Sequence, residues 1–158
     1  MLAYPIHIQI IVVGKLRQDF WRAAAEQYLG RLQHYAATSI TEARDVLGRG
    51  RSESEAIAEE SKEITRRLRP EALVILLDKD GKKFSSEQLA GLLKKEIEGG
   101  RRLLQFIIGG PAGVAPELRA GLRLSLSAMT LPHELARVVL LEQLYRAFTI
   151  LRGEKYHK

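Results

Sequence analysis

Three short apolar runs, set apart by amphipathic stretches, constrain the fold of this chain more than any other feature. Ile6 to Val13 is rich in β-branched residues, Leu73 to Leu77 is continuously apolar, and Leu103 to Ile108 is a third run of the same kind. Apolar runs of this length read as strands covered on both faces, which belong to parallel sheets. The first stops at Gly14-Lys15 and the second is broken by Asp78-Lys79-Asp80-Gly81. Shorter strands are expected at Ser39 to Ala43 and near Leu122 to Leu126.

The intervening stretches have helical period. Trp21, Ala24, Ala25, Tyr28, Leu32 and Tyr35 share one face, followed later by the flexible, basic Gly48-Arg49-Gly50-Arg51. Ser52 with Glu55 forms a capping box for a charged helix whose inner face is Ile57, Ser61, Ile64 and Leu68, ending before Pro70. Ser85 with Gln88 caps another helix, carried inward by Leu89, Leu92, Leu93 and Ile97 and closed by Gly99-Gly100. Pro116 suits the first turn of a short helix, and a last helix runs from about Glu134 to Leu151. Strands alternating with helices imply an α/β fold with a mainly parallel sheet, helices on both faces and ligands at the carboxyl ends of strands. At 158 residues and 46% hydrophobic, the chain should form a single domain over 1–158.

Composition narrows the chemistry. The excess of 25 Lys+Arg over 19 Asp+Glu, a net +6, favours a polyanionic partner without requiring one. The chain has no cysteine, which excludes disulfides, thiolate metal sites and a cysteine nucleophile. His7, His34, His133 and His157 lack paired ligand spacing, so no metal is expected. The run from Ile6 to Val13 is too short for a membrane span, so no membrane is expected and the location should be cytoplasmic.

Two loops follow apolar runs and carry the strongest site signal. Gly109-Gly110-Pro111-Ala112-Gly113 is neither a P-loop nor a dinucleotide fingerprint. It allows close approach of backbone to a ligand, or is simply a tight turn opening a helix. Ser127-Ala-Met-Thr-Leu-Pro-His133 offers main-chain donors and acceptors around a small apolar surface, a lining suited to a flat heteroaromatic such as adenine, or is an ordinary loop with a helix cap.

The last helix carries Leu140, Leu144, Ala147 and Leu151 as one stripe, widened by Val138, Leu141, Tyr145 and Phe148. A homodimer interface explains so broad an apolar face, and a central core helix is the alternative. Glu142 and Arg146, four residues apart, form its polar strip: either a routine surface pair or an arginine at the edge of a dimer cleft. His133 stands at the helix entrance. His157 follows Tyr156 in a tail that pairs an aromatic with a cation, as a clamp over an extruded base would.

Assembled, these pieces resemble the ribosomal RNA large-subunit methyltransferase H family of the SPOUT class. The resemblance rests on Val13-Gly14-Lys15, Leu77-Asp78 before Gly81, Gly109-Gly110, and Leu126-Ser-Ala-Met-Thr-Leu-Pro-His133. It continues through Glu142-Gln-Leu-Tyr-Arg-Ala147 and Gly153 to Tyr156-His157-Lys158. It spans essentially the whole chain; residues 1 to 5 look like a small extension, and Ala112 stands where relatives often carry a larger or charged residue.

The resemblance implies a SPOUT-type α/β fold with a C-terminal trefoil knot, an obligate homodimer and S-adenosyl-L-methionine as methyl donor. Its contacts, carried over by position, are Leu77, Gly109, Gly110 and the stretch Ser127, Ala128, Met129, Thr130, Leu131 and Pro132. The implied reaction methylates N3 of a pseudouridine in large-subunit rRNA of the assembled ribosome. Periodicity alone gives an unknotted doubly wound sheet, since chains ordinarily do not thread loops. For such a transfer the enzyme must align donor and acceptor and help an imide nitrogen lose its proton. Arg146 and Arg137 are candidates to stabilise the developing negative charge, His133 and His157 to accept the proton, and Tyr156 with His157 to close over the base. Two other readings stay open: a noncatalytic RNA- or ribosome-binding module, and a SPOUT enzyme acting on tRNA.

Overall fold

Residues alternate sides along a strand, and in β1 (His7–Val13) both sides are apolar: Ile8, Ile10 and Val12 enter one core, Ile11 and Val13 another. That double burial makes β1 an interior strand. It is flanked by β2 (Ala37–Ala43) and β4 (Leu103–Ile108), with β3 (Leu73–Lys83) and β5 (Leu122–Ser125) beyond β4, in the order β2-β1-β4-β3-β5. All four neighbouring pairs run parallel. The structure is a computed structural model that describes residues 3–158; residues 1 and 2 of the expected amino-terminal extension lie outside the described residues.

Four helices connect the strands: α1 (Asp19–Leu32), α2 (Glu53–Thr65), α3 (Ser86–Glu98) and α4 (His133–Leu151). Three of them, α1, α3 and α4, cover one face, where Ala25, Leu32, Leu89, Leu93, Leu140, Leu144 and Phe148 join Ile10, Phe106 and Ile75 in the larger core. On the other face Ile64 of α2 meets Ile11, Val74, Leu76 and Ile107. The expected α/β fold with helices on both faces is therefore the observed one. Both capping boxes form: Ser52 accepts from the Glu55 N–H, and Ser85 from the Gln88 N–H, at 3.1 Å each.

Four details differ from the sequence reading. The strand expected from Ser39 begins at Ala37, because its ladder with β1 starts at His7 opposite Ala37. Asp78 to Gly81 does not end β3; the strand makes an irregular excursion, so that Leu77 and Lys82 both stand opposite Leu124. A Cβ at Gly81 would lie 2.7 Å from the Arg123 backbone, so the excursion needs a glycine there. No short helix forms at Pro116: the segment closes one turn, Leu118 N–H to Ala115 O at 3.0 Å, before Gly121 bonds to Val74. Finally, α2 buries Ala56, Glu60, Ser61 and Ile64, while Ile57 is half-buried and Leu68 lies past the helix end.

Candidate active site

The carboxyl ends of β3, β4 and β5 open into a cleft of about 520 Å³, within the roughly 300–1,000 Å³ of small-molecule sites. Leu77, Gly109, Gly110, Ser127, Met129, Thr130 and Leu131 line it, as does His133 from the first turn of α4. These residues are brought together because the three strands are neighbours in the sheet although distant in sequence. Ala128 belongs to the same segment without lining the cleft, and Pro132 precedes α4, its carbonyl accepting the Ala136 N–H at 2.8 Å.

The glycines of the first loop answer to the packing behind it. A Cβ at Gly109 would lie 2.8 Å from Val114 Cγ1, and one at Gly110 would lie 2.7 Å from Glu60 Oε1. Gly113 has φ of 90°, a left-handed conformation that side chains disfavour. The loop therefore lies close on α2 and keeps its own backbone at the cleft wall. Glu60 is buried beneath it with Oε2 accepting the Val46 N–H at 3.0 Å and Oε1 without a partner among the described residues. Burial raises its carboxyl above the ordinary range against the pull of that N–H, and the nearby Asp45 carboxylate adds to the rise. The periodicity of α2 hid Glu60, since a glutamate in a charged helix reads as solvated.

The second loop is shaped by two serines: Ser125 Oγ donates to Ser127 O, and Ser127 Oγ accepts the Met129 N–H, both at 2.9 Å. The amides and carbonyls of Ala128, Thr130 and Leu131 have no partner among the described residues, which leaves them for water or a ligand. Free main-chain groups beside Leu76, Leu77, Ile108 and Leu131 match a flat heteroaromatic with polar edges, so the residues present fit the adenosyl group of S-adenosyl-L-methionine. The Arg123–Asp78 ion pair, 3.1 Å, also lines the cleft, and sequence reasoning missed it because β5 is too short to show its alternation.

A second cluster forms at the opposite end of α4. Arg146 donates twice to Glu142 Oε1, at 3.0 and 2.7 Å, and these bonds raise the guanidinium pKa further. The Tyr156 ring lies 4.8 Å from that guanidinium, and its hydroxyl donates to the same Glu142 oxygen at 3.0 Å. Burial, then that hydrogen bond, pushes the Tyr156 hydroxyl up to about 12, so it is a donor and not a base at neutral pH. His157 Nδ1 sits 3.2 Å from Arg146 Nη1, and Nε2 sits 2.7 Å from Glu87 Oε1. A guanidinium only donates, so Nδ1 accepts and the proton belongs on Nε2, facing Glu87. That bond holds Glu87 below the usual carboxylate range. The tail is thus docked on α3 and α4, which nothing in its sequence demanded.

The two clusters are separated along α4. His133 and Arg146 are thirteen residues apart, about 20 Å of helix axis. Arg137 lies between them and joins neither: its guanidinium is buried, 2.8 Å from Glu42 Oε2 and 2.9 Å from Gly14 O, tying α4 to the ends of β1 and β2. The apolar face of α4 also has a local explanation. Leu140, Leu144 and Ala147 are buried between the sheet and helices α1 and α3, so the core-helix alternative accounts for the stripe without a second subunit.

Residues 6–157 match the family described as "Predicted SPOUT methyltransferase". The chain belongs to the SPOUT methyltransferase family. Among curated relatives, one from Rubrobacter xylanophilus is 47% identical over 160 residues, covering 94% of this chain and 96% of its own length. One from Moorella thermoacetica is 40% identical, covering 97% and 99%, and one from Porphyromonas gingivalis is 39% identical, covering 95% and 98%. All three bear the name "Ribosomal RNA large subunit methyltransferase H". The five-stranded parallel sheet is consistent with the SPOUT methyltransferase fold. No described group of three or more His, Cys, Asp or Glu converges as metal ligands, and no described helix is long and apolar enough to cross a membrane.

Proposed function

We propose that the protein transfers a methyl group from S-adenosyl-L-methionine to N3 of a pseudouridine in large-subunit rRNA, in assembled ribosomes and hence in the cytoplasm. The observation that carries this reading is the cleft at the ends of β3, β4 and β5, whose unpaired backbone and apolar walls suit the donor. The relatives' shared name supports large-subunit rRNA as the target molecule, and the net charge of +6 agrees with an RNA partner.

The donor, when bound, supplies a sulfonium-activated methyl for in-line displacement. Leu77, Gly109, Gly110 and Ser127 to Pro132 hold it, Ala128 and Pro132 by shaping the loop. Arg146, fixed by Glu142, stabilises the negative charge that develops on the base's carbonyl oxygens. His133, which lines the donor cleft, is the proton acceptor there, and His157 can accept a proton only by releasing the Arg146 N–H that its Nδ1 accepts when the tail closes over the base. Arg137 acts as a positioning residue, holding the first turns of α4 against the sheet.

About 20 Å separates His133 from Arg146 in one subunit, so one protomer does not complete the site. A homodimer resolves this if the Arg146–Tyr156–His157 cluster of each subunit closes the donor cleft of the other, around a carboxyl-terminal trefoil knot. Mixing a subunit whose donor cleft is impaired by Gly110→Ala with an Arg146→Ala subunit tests the arrangement: the mixed dimer pairs one intact cleft with one intact cluster, so restored activity supports a shared site, and continued inactivity argues against it.

The reaction itself is tested with labelled S-adenosyl-L-methionine and ribosomes, free rRNA or tRNA from a strain lacking the enzyme. Label on N3 of one pseudouridine in the large subunit is the expected result. Label on tRNA alone overturns the target, and absence of donor binding in calorimetry overturns the enzyme reading.

A further inference from the structure

A second cleft, about 580 Å³, opens at the carboxyl ends of β1 and β2, next to the donor cleft because β1 pairs with β4. Its side chains are unusually one-sided in charge. Lys15, Arg17, Arg44 and Arg49 line it, all exposed, and none has a carboxylate partner among the described residues. The two acids present are committed elsewhere: Glu42 pairs with Arg137 at 2.8 Å, and Asp45 Oδ1 accepts the Leu47 N–H at 3.1 Å. By contrast, Arg22 of α1 and Lys94 of α3 each pair with a carboxylate on their own helix.

The two clefts also share a rigid wall. Glu134 in the first turn of α4 accepts the N–H groups of both Arg17 and Gln18, locking the rim of the second cleft to the turn that carries His133. Gly48 and Gly50, at φ of 78° and 73°, hold Arg49 on a turn at the other rim. Phe20, the second residue of α1, is 62% exposed and edge-on to Trp21 at 4.9 Å. The four cations come from two separate loops that line the same cleft. They suit a chain of phosphates, and an exposed ring beside them suits an unstacked base.

We propose that this second cleft is the track for the RNA sugar–phosphate backbone on one side of the target base, with Phe20 as a stacking ring. The proposal rests on the RNA methyltransferase reading and deepens it. Binding to ribosomes lacking the modification, followed by sedimentation over a potassium chloride series, tests it with the full-length protein. Each phosphate contact contributes about 0.7 to 0.9 to the salt slope, so Arg44→Gln with Arg49→Gln should flatten it by about 1.4–1.8 and weaken binding about tenfold. Arg44→Lys with Arg49→Lys should keep the slope, and Phe20→Leu should weaken binding about fivefold or more with the slope unchanged. Lys62→Gln with Lys94→Gln, on exposed faces of α2 and α3, should change neither quantity.

An unchanged slope and affinity in the double glutamine variant, while the parent protein still methylates ribosomes, overturns the track alone. A parent protein that neither binds ribosomes in a salt-dependent way nor methylates them removes the underlying reading and the track with it. Affinity for S-adenosyl-L-methionine, read by calorimetry, should stay within about twofold in every variant, because the four cations lie outside the donor cleft.

Discussion

The two ends of α4 carry sites of opposite construction. At its start, the proposed donor cleft is built from main chain: glycines forced by what packs behind them, and a loop whose amides and carbonyls have no partner among the described residues. At its end, the tail cluster is built from side chains, with Arg146, Tyr156 and His157 gathered on Glu142 and Glu87. A backbone site depends on a few small residues and tolerates change in most of its side chains. A side-chain site fails when one member is removed, because the others lose charge compensation.

The comparison is most exposed at Arg146. Arg146→Ala should lower the single-turnover methylation rate by about 10²–10³-fold and leave donor affinity nearly intact, measured by rapid-quench kinetics and calorimetry. An unchanged rate removes the arginine from the chemistry. Deleting 156–158 comes next, with about a hundredfold loss of turnover and no change in oligomeric mass or donor binding, as for other groups that position a reactant. Normal methylation by the truncated protein would end the idea of a closing tail.

Gly110→Ala should produce the reverse pattern, since its Cβ meets Glu60 Oε1 at 2.7 Å and Val13 Cγ1 at 3.2 Å. Overpacking there costs about 1–3 kcal/mol of stability, and donor affinity falls with it while salt-dependent ribosome binding is retained. Thr130→Ala, in the same cleft, should change donor affinity less than about threefold, because the loop offers backbone and not this side chain. A large loss in Thr130→Ala would break the contrast between the two sites.

Glu60 gives a modest effect on stability and a clear sign. Its folded carboxyl holds a proton more tightly than the ordinary carboxyl of the unfolded chain, so the folded state binds more protons between the two values. Stability is fully present below the unfolded value and is lost as pH rises through the raised one. Glu60→Gln keeps an oxygen for the Val46 N–H and removes this loss, so it should gain about 1 kcal/mol at neutral pH and nothing at pH 4. Urea melts of both proteins at the two pH values check it.

Much of the architecture was legible because it follows from local rules. The strands at Ile6 to Val13 and Leu103 to Ile108 appear where their apolar runs stand, and both capping boxes form on the expected serines. The excursion in β3 was not legible, since its register depends on a partner strand and on Gly81 clearing the Arg123 backbone. Tail docking escaped for a similar reason: Glu87 and His157 are seventy residues apart, and no pattern within the tail signals a partner on α3.

By itself, the amino-acid order determined the elements, the class of fold and the two glycine- and proline-broken loops, because strand burial, helix period and caps are short-range properties. Tertiary structure alone decided that α4 spends its apolar face inside its own core, that Arg137 is a buried strut, and that four cations without a carboxylate partner among the described residues share a cleft beside the proposed donor cleft. Those outcomes depend on strand order, which places chain segments far apart in sequence at one edge of one sheet.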